Sequence, residues 1–128
     1  MEPISESDTE GQRGGSFSYT VQRLPAATSI IYATGVLDGE THTWLSRAVA
    51  AELTQEPAQL VLELSGATSI DDAAVETLVD ATALAAESDT SFCLVMPPTG
   101  PIARALAAAD LLERFEIFAT VEEAQRHR

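Results

Sequence analysis

Leu60-Val61-Leu62-Glu63-Leu64-Ser65-Gly66-Ala67-Thr68-Ser69-Ile70-Asp71-Asp72-Ala73-Ala74-Val75-Glu76-Thr77-Leu78 is the stretch that decides the fold. Leu60 to Leu64 is an apolar run of strand length, the pattern of a parallel strand buried on both faces. A short Ser/Gly/Thr loop follows it. Asp71 and Asp72 then open a helical pattern that runs to about Ala86. Val75, Leu78, Val79 and Thr82 mark the inner face of this helix, with Glu76, Asp80 and Glu87 turned away from it. Loops at strand ends are where open α/β sheets bind and switch. The acidic pair falls there, at a helix N-terminus whose free N–H groups and positive dipole end stabilise carboxylates.

Upstream, Phe17 to Val21 alternates as a strand does, Leu24 to Ala27 reads as a turn, and Ser29 to Leu37 is a second strand rich in β-branched residues. These two form a hairpin. Asp38-Gly39-Glu40-Thr41 introduces a helix whose apolar stripe is Trp44, Leu45, Ala48, Val49 and Leu53. Pro57 ends it. Downstream, Ser91 to Met96 is a fourth strand, and Pro97 to Pro101 a stiff loop. Ile102, Ala105, Leu106 and Ala109 then give a third helix. Phe115 to Phe118 is a fifth strand, and Thr120 with Glu123 makes a capping box for a last helix over Val121 to Arg126. The order β-β-α-β-α-β-α-β-α implies right-handed crossovers. It gives an α/β fold with a mixed, mainly parallel sheet of about five strands and about four helices.

A chain of 128 residues accommodates one domain with one core. That domain spans residues 16–128. Residues 1–15 are acidic, rich in Ser and Gly and poor in large apolar groups, the composition of a disordered tail. The net charge is −13, from 20 acids against 7 bases, and every base is Arg. Such a surface repels phosphate backbones and anionic lipid heads, so nucleic-acid and membrane partners are disfavoured and a basic protein surface is favoured. Cys93 is the sole cysteine, in agreement with a reducing compartment. No stretch is long and apolar enough to span a bilayer and no signal peptide is recognisable, which points to the cytoplasm.

Catalytic and cofactor motifs are lacking. His42, on a face expected to be exposed, and His127 have no Cys or His at metal spacing. There is no phosphate-binding Gly-x-x-x-x-Gly-Lys loop, and the local motifs suggest no Ser-His-Asp arrangement. The expectation is a protein without enzymatic activity, metal or cofactor. Cys93 reads as a small buried hydrophobe. Trp44 reads as a core residue.

Three segments in order resemble the STAS domain of bacterial anti-sigma-factor antagonists. Gly35-Val36-Leu37-Asp38 is similar to that family's Gly-x-Leu-Asp. Leu62-Glu63-Leu64-Ser65-Gly66 is similar to its Val-Asp-Leu-Ser-Gly. Leu111 to Ile117, followed by Thr120 to Ala124, is similar to its closing segment. The family continues Ile-Asp-Ser-Ser-Gly, and a partner kinase phosphorylates the first Ser. Here Ile70-Asp71-Asp72-Ala73-Ala74 stands in that place, so Asp72 occupies the phosphoacceptor-equivalent position without a hydroxyl.

The resemblance implies a cytoplasmic antagonist that binds an anti-sigma factor of the histidine-kinase-like ATPase fold. Binding would release a sigma factor and activate transcription. The implied partner-binding residues are Asp38, Asp71, Asp72, Ala73, Ala74 and Val75. Asp72 either mimics the phosphorylated state or meets a partner adapted to a carboxylate; its single charge, against −1.5 to −2 for a phosphate, favours the second. On the residues alone, Asp72 is an N-cap and Asp38 a turn residue. Two other assignments compete: a STAS-type scaffold or transporter accessory, and an acid-pair phosphoacceptor with Mg²⁺ on Asp38, Asp71 and Asp72. The absence of Lys and the opening hairpin speak against the latter.

Overall fold

A computed structural model describes residues 17–126. The tail expected over 1–15, and His127, lie outside the described residues. Strands β1 (Ser18–Leu24) and β2 (Thr28–Leu37) form an antiparallel hairpin with Ser18 opposite Thr34 and Leu24 opposite Thr28. Ala26 and Ala27 turn it at φ 67° and 59°. Next come α1 (His42–Leu53), β3 (Gln59–Ile70), α2 (Asp72–Glu87), β4 (Ser91–Val95) and α3 (Pro101–Ala108). A 3₁₀ turn (Leu112–Arg114), β5 (Ile117–Phe118) and α4 (Val121–Arg126) complete the described chain. The sheet runs β1-β2-β3-β4-β5, antiparallel only between β1 and β2. This is the mixed, mainly parallel α/β architecture expected from the pattern.

The main departure concerns Ser65 to Ile70, expected as a loop and found as strand. β2 continues to Leu37 and pairs with β3 as far as Ile70. Two register shifts, between Tyr32 and Thr34 and between Gly35 and Val36, each fit an extra residue of β3 against β2. β4 pairs with β3 only as far as Glu63. Pro97 and Pro98 follow shortly after β4 and offer no N–H to continue the ladder. α3 packs against β3 instead.

Helix faces also shift in detail. α2 packs against α1, β3 and β4, and it buries Ala74, Val75, Thr77, Leu78, Ala81 and Ala85. Val79 and Thr82 are only half-buried. Alanine at three of these positions lets the helix approach its neighbours closely. α3 buries Ile102, Ala103 and Leu106, leaving Ala109 exposed. β5 is shorter than expected: Phe115 is the C-cap of the 3₁₀ turn, and the strand begins only at Ile117.

The main core lies between one sheet face and α1, α2 and α3. It includes Phe17, Ile31, Leu45, Leu62, Leu64, Leu78, Leu94 and Leu106. A smaller cluster of Ile30, Val61, Cys93, Val95 and Ala124 forms under α4 on the other face. Burial, then the Glu116 charge, pushes the Cys93 thiol up to about 12, so it stays a neutral packing group. Several buried polar groups are paired. The Glu52 carboxylate on α1 takes two bonds from Arg23 of β1, at 3.1 and 2.8 Å. Gln59 Nε2 donates to the Ala124 carbonyl at 2.9 Å, tying α4 to β3. Thr120 Oγ1 accepts from Glu123 N, and Glu123 Oε1 accepts from Ala119 N, each at 3.1 Å, so the expected cap forms with its return bond one residue earlier.

Gly66 is where the lengthened β3 meets β2 most tightly. A Cβ there would lie 2.6 Å from Thr34 Cγ2. The Thr34 hydroxyl is 2.9 Å from Ser18 Oγ, so rotating the side chain away breaks that bond. We expect Gly66→Ala to destabilise the fold by about 1–3 kcal/mol in denaturant titrations. Combining it with Thr34→Ser, which removes the clashing methyl and keeps the hydroxyl, should recover part of the loss.

Candidate functional site

β2 and β3 end side by side, and the Leu37 carbonyl accepts from Asp71 N at 3.0 Å. The loop after β2 is built on Asp38. Its Oδ1 accepts from Glu40 N and Thr41 N, both at 2.9 Å, and from Thr41 Oγ1 at 3.1 Å. Thr41 Oγ1 also reaches the Val36 carbonyl at 2.8 Å. The N–H groups of Thr41 and Glu40 hold the Asp38 carboxyl below its usual range. Asp38 is thus a turn residue; the helix cap position belongs to Thr41.

The second loop is built on Asp71, which is the N-cap of α2 in extended conformation. The sequence pattern placed the cap on Asp72. The correction follows from β3: the strand continues through Ile70, so Asp71 is the last extended residue and Asp72 the first helical one. Asp71 Oδ1 accepts from Ala74 N at 3.1 Å. Its Oδ2 accepts from Gly39 N at 2.9 Å, joining the two loops. Asp72 is exposed, and its carboxylate has no hydrogen bond or ion pair among the described residues. Glu76 and Asp80 follow it on the helix surface at four-residue spacing, also exposed.

Asp38, Asp71, Asp72 and Ala73 therefore come together at one end of the sheet. Ala74 and Val75, expected on the partner surface, are 0% and 8% exposed and belong to the core beneath it. Val75 lies on the inner face that the periodicity predicts, and Ala74 lies one turn before Leu78 on the same buried face. Thr68 and Ser69 lie exposed on β3. His42, expected on an exposed face, is half-buried, and its Nδ1 is 3.0 Å from Thr77 Oγ1. Thr77 Oγ1 in turn donates to the Ala73 carbonyl at 3.2 Å. Sequence reasoning missed this link and the Gly39 bridge. The trace that could have revealed the first was Thr77, a polar residue one position from the inner-face Leu78.

No group of three or more His, Cys, Asp or Glu side chains able to hold a metal occurs among the described residues. Backbone N–H groups already engage Oδ1 of Asp38 and both oxygens of Asp71. Trp44 is half-buried against the core with the Arg47 guanidinium 5.6 Å from its ring centroid. No described helix is long and apolar enough to cross a membrane. The site thus presents carboxylates at a rigid helix start.

Two variants separate the acids. Asp71→Ala removes the cap and should cost about 0.5–2 kcal/mol of stability, whereas Asp72→Ala should change the melting temperature little. Asp38 gives a pH test. Its carboxyl is held down in the folded chain, so its contribution is complete above the usual Asp value of about 3.9 and disappears as pH falls through the lowered one. Asp38→Ala should be less stable than wild type at neutral pH, and the gap should close in strong acid.

The family profile described as "Mlab, STAS domain" matches residues 20–117. No curated protein matches the chain. Among solved structures, an anti-sigma factor antagonist from Mycobacterium paratuberculosis superposes with a TM-score of 0.78 at 21% identity, over 88% of this chain and 93% of that one. A Thermotoga maritima protein gives 0.76 at 23% identity, over 85% and 92%. The anti-sigma factor antagonist SpoIIAA in its unphosphorylated form gives 0.71 at 14% identity, over 85% and 94%. At these identities the structures show a shared fold. With the profile covering most of its length, the chain belongs to the STAS-domain family.

Proposed function

We propose that this STAS domain is an anti-sigma-factor antagonist that docks through the loop end holding Asp38, Asp71, Asp72 and Ala73. The single observation that carries the reading is the Asp72 carboxylate. It is exposed, without a partner among the described residues, and held at the start of α2 by the cap and bridge of its neighbour Asp71. Antagonist structures share the fold over nearly the whole domain. The proposed partner is an anti-sigma factor of the histidine-kinase-like ATPase fold with basic groups facing the acidic turn. Its capture releases a sigma factor in the cytoplasm.

Asp72 stands where the family resemblance puts the phosphorylated Ser. A carboxylate forms no stable phosphoester, and Ala73 and Ala74 supply no substitute hydroxyl. The partner is adapted to a permanent charge, and phosphorylation does not switch the complex.

A binding titration of the full chain against the host's anti-sigma factors tests the assignment. Recovery of transporter subunits and no sigma regulator would move it to an accessory STAS domain. Asp72→Arg should weaken association by about tenfold or more, equivalent to about 1.4 kcal/mol, with the fold intact. Unchanged affinity in a folded variant would place the docking face elsewhere. Incubation with the cognate kinase and ATP should leave the intact mass unaltered, and a stoichiometric gain mapping to Thr68 or Ser69 would overturn the unswitched state.

A further inference from the structure

The one histidine among the described residues is tied into the proposed docking turn. His42 opens α1, and its Nδ1 lies 3.0 Å from Thr77 Oγ1 on α2. Thr77 has a single hydroxyl proton, and it goes to the Ala73 carbonyl at 3.2 Å. With the hydroxyl donating to Ala73, it accepts from the imidazole, and the neutral ring then carries its proton on Nδ1. Nε2 is then the nitrogen able to take a second one. The chain Nδ1–H to Thr77 to Ala73 survives that uptake, while a positive charge appears at the site.

The surrounding charges set what that proton does to recognition. Asp38 lies on the loop before α1, its carboxyl lowered chiefly by the Thr41 and Glu40 N–H groups and least by His42. Across the helix pair, Thr77 is uncharged, and the exposed acids of α2 are Asp72, Glu76, Asp80 and Glu87. Glu40 completes the exposed acids of the first loop. Histidine is the side chain type whose charge changes between pH 5 and 8.

We infer that His42 makes the docking turn proton-sensitive: uptake of a proton on Nε2 offsets part of the acidic field and loosens the hold on a basic protein partner. The inference rests on the docking reading above. One unit charge close to the interface alters affinity by a factor of about two to five in a well-solvated setting.

The test compares the full chain with His42→Gln, whose amide can still donate to Thr77. Amide NMR signals of Ala73 and Thr77 are followed from about pH 5 to about pH 8. In the wild type they should move together with the imidazole, and in the variant they should stay flat. Affinity for the anti-sigma factor found by titration is then measured at about pH 5.5 and about pH 7.5. The wild type should lose a factor of about two to five on acidification beyond any loss in the variant, which cancels contributions from His127 and from the partner's own groups. Equal pH dependence in both proteins, or Ala73 and Thr77 signals that ignore the imidazole, overturns the proposal. Absence of any partner for the wild type at about pH 7.5 instead overturns the docking reading, and the amide titration still decides whether His42 is coupled to the turn.

Discussion

The extension of β3 beyond its partner β4 is the constraint on which the working end of the molecule depends. Leu64 to Ile70 stays in the sheet by pairing with β2 alone, aided by two bulges and by a glycine that fits where a methyl would strike Thr34. α3 packs against the strand that β4 leaves behind. Because the strand does not release the chain until Ile70, the turn into α2 is short, and its first acid is forced into the cap. A looser exit would have let the acids exchange roles.

The acidic pair consequently divides its work. Asp71 spends both oxygens on backbone N–H groups, one in its own helix and one in the neighbouring loop. Asp72, one residue later, meets nothing in the described chain and points its charge at solvent. The same geometry explains why a carboxylate is tolerated at a position where the family resemblance places a hydroxyl. The helix N-terminus favours a negative group there, and no buried cavity has to accommodate it.

Electrostatics on α2 run against local stability. Asp72, Glu76 and Asp80 are like charges at four-residue spacing, an arrangement that costs about 0.2–0.5 kcal/mol per pair. The helix stands because its Ala-rich inner face is buried against α1, β3 and β4. A basic partner would relieve the repulsion, so the acidic row is better suited to association than to the isolated domain. The described ion pair between Arg23 and Glu52 lies away from this surface, binding β1 to α1.

Local pattern alone determined the element order, the hairpin, the last helix with its Thr120–Glu123 cap, and the burial of Cys93. Each of these follows from periodicity or from bonds between near neighbours in the chain, which the residues carry with them. The gathering of Asp38, Asp71 and Asp72 at one sheet end was legible too, since strand order fixes which loops meet. Only the tertiary structure decided which acid caps α2, because the choice depends on where β2 stops supporting β3. It also decided that Ala74 faces the core and that His42 is held by Thr77. Those outcomes depend on the rotation of α2 against α1, a relation between helices distant in sequence that no single helix encodes.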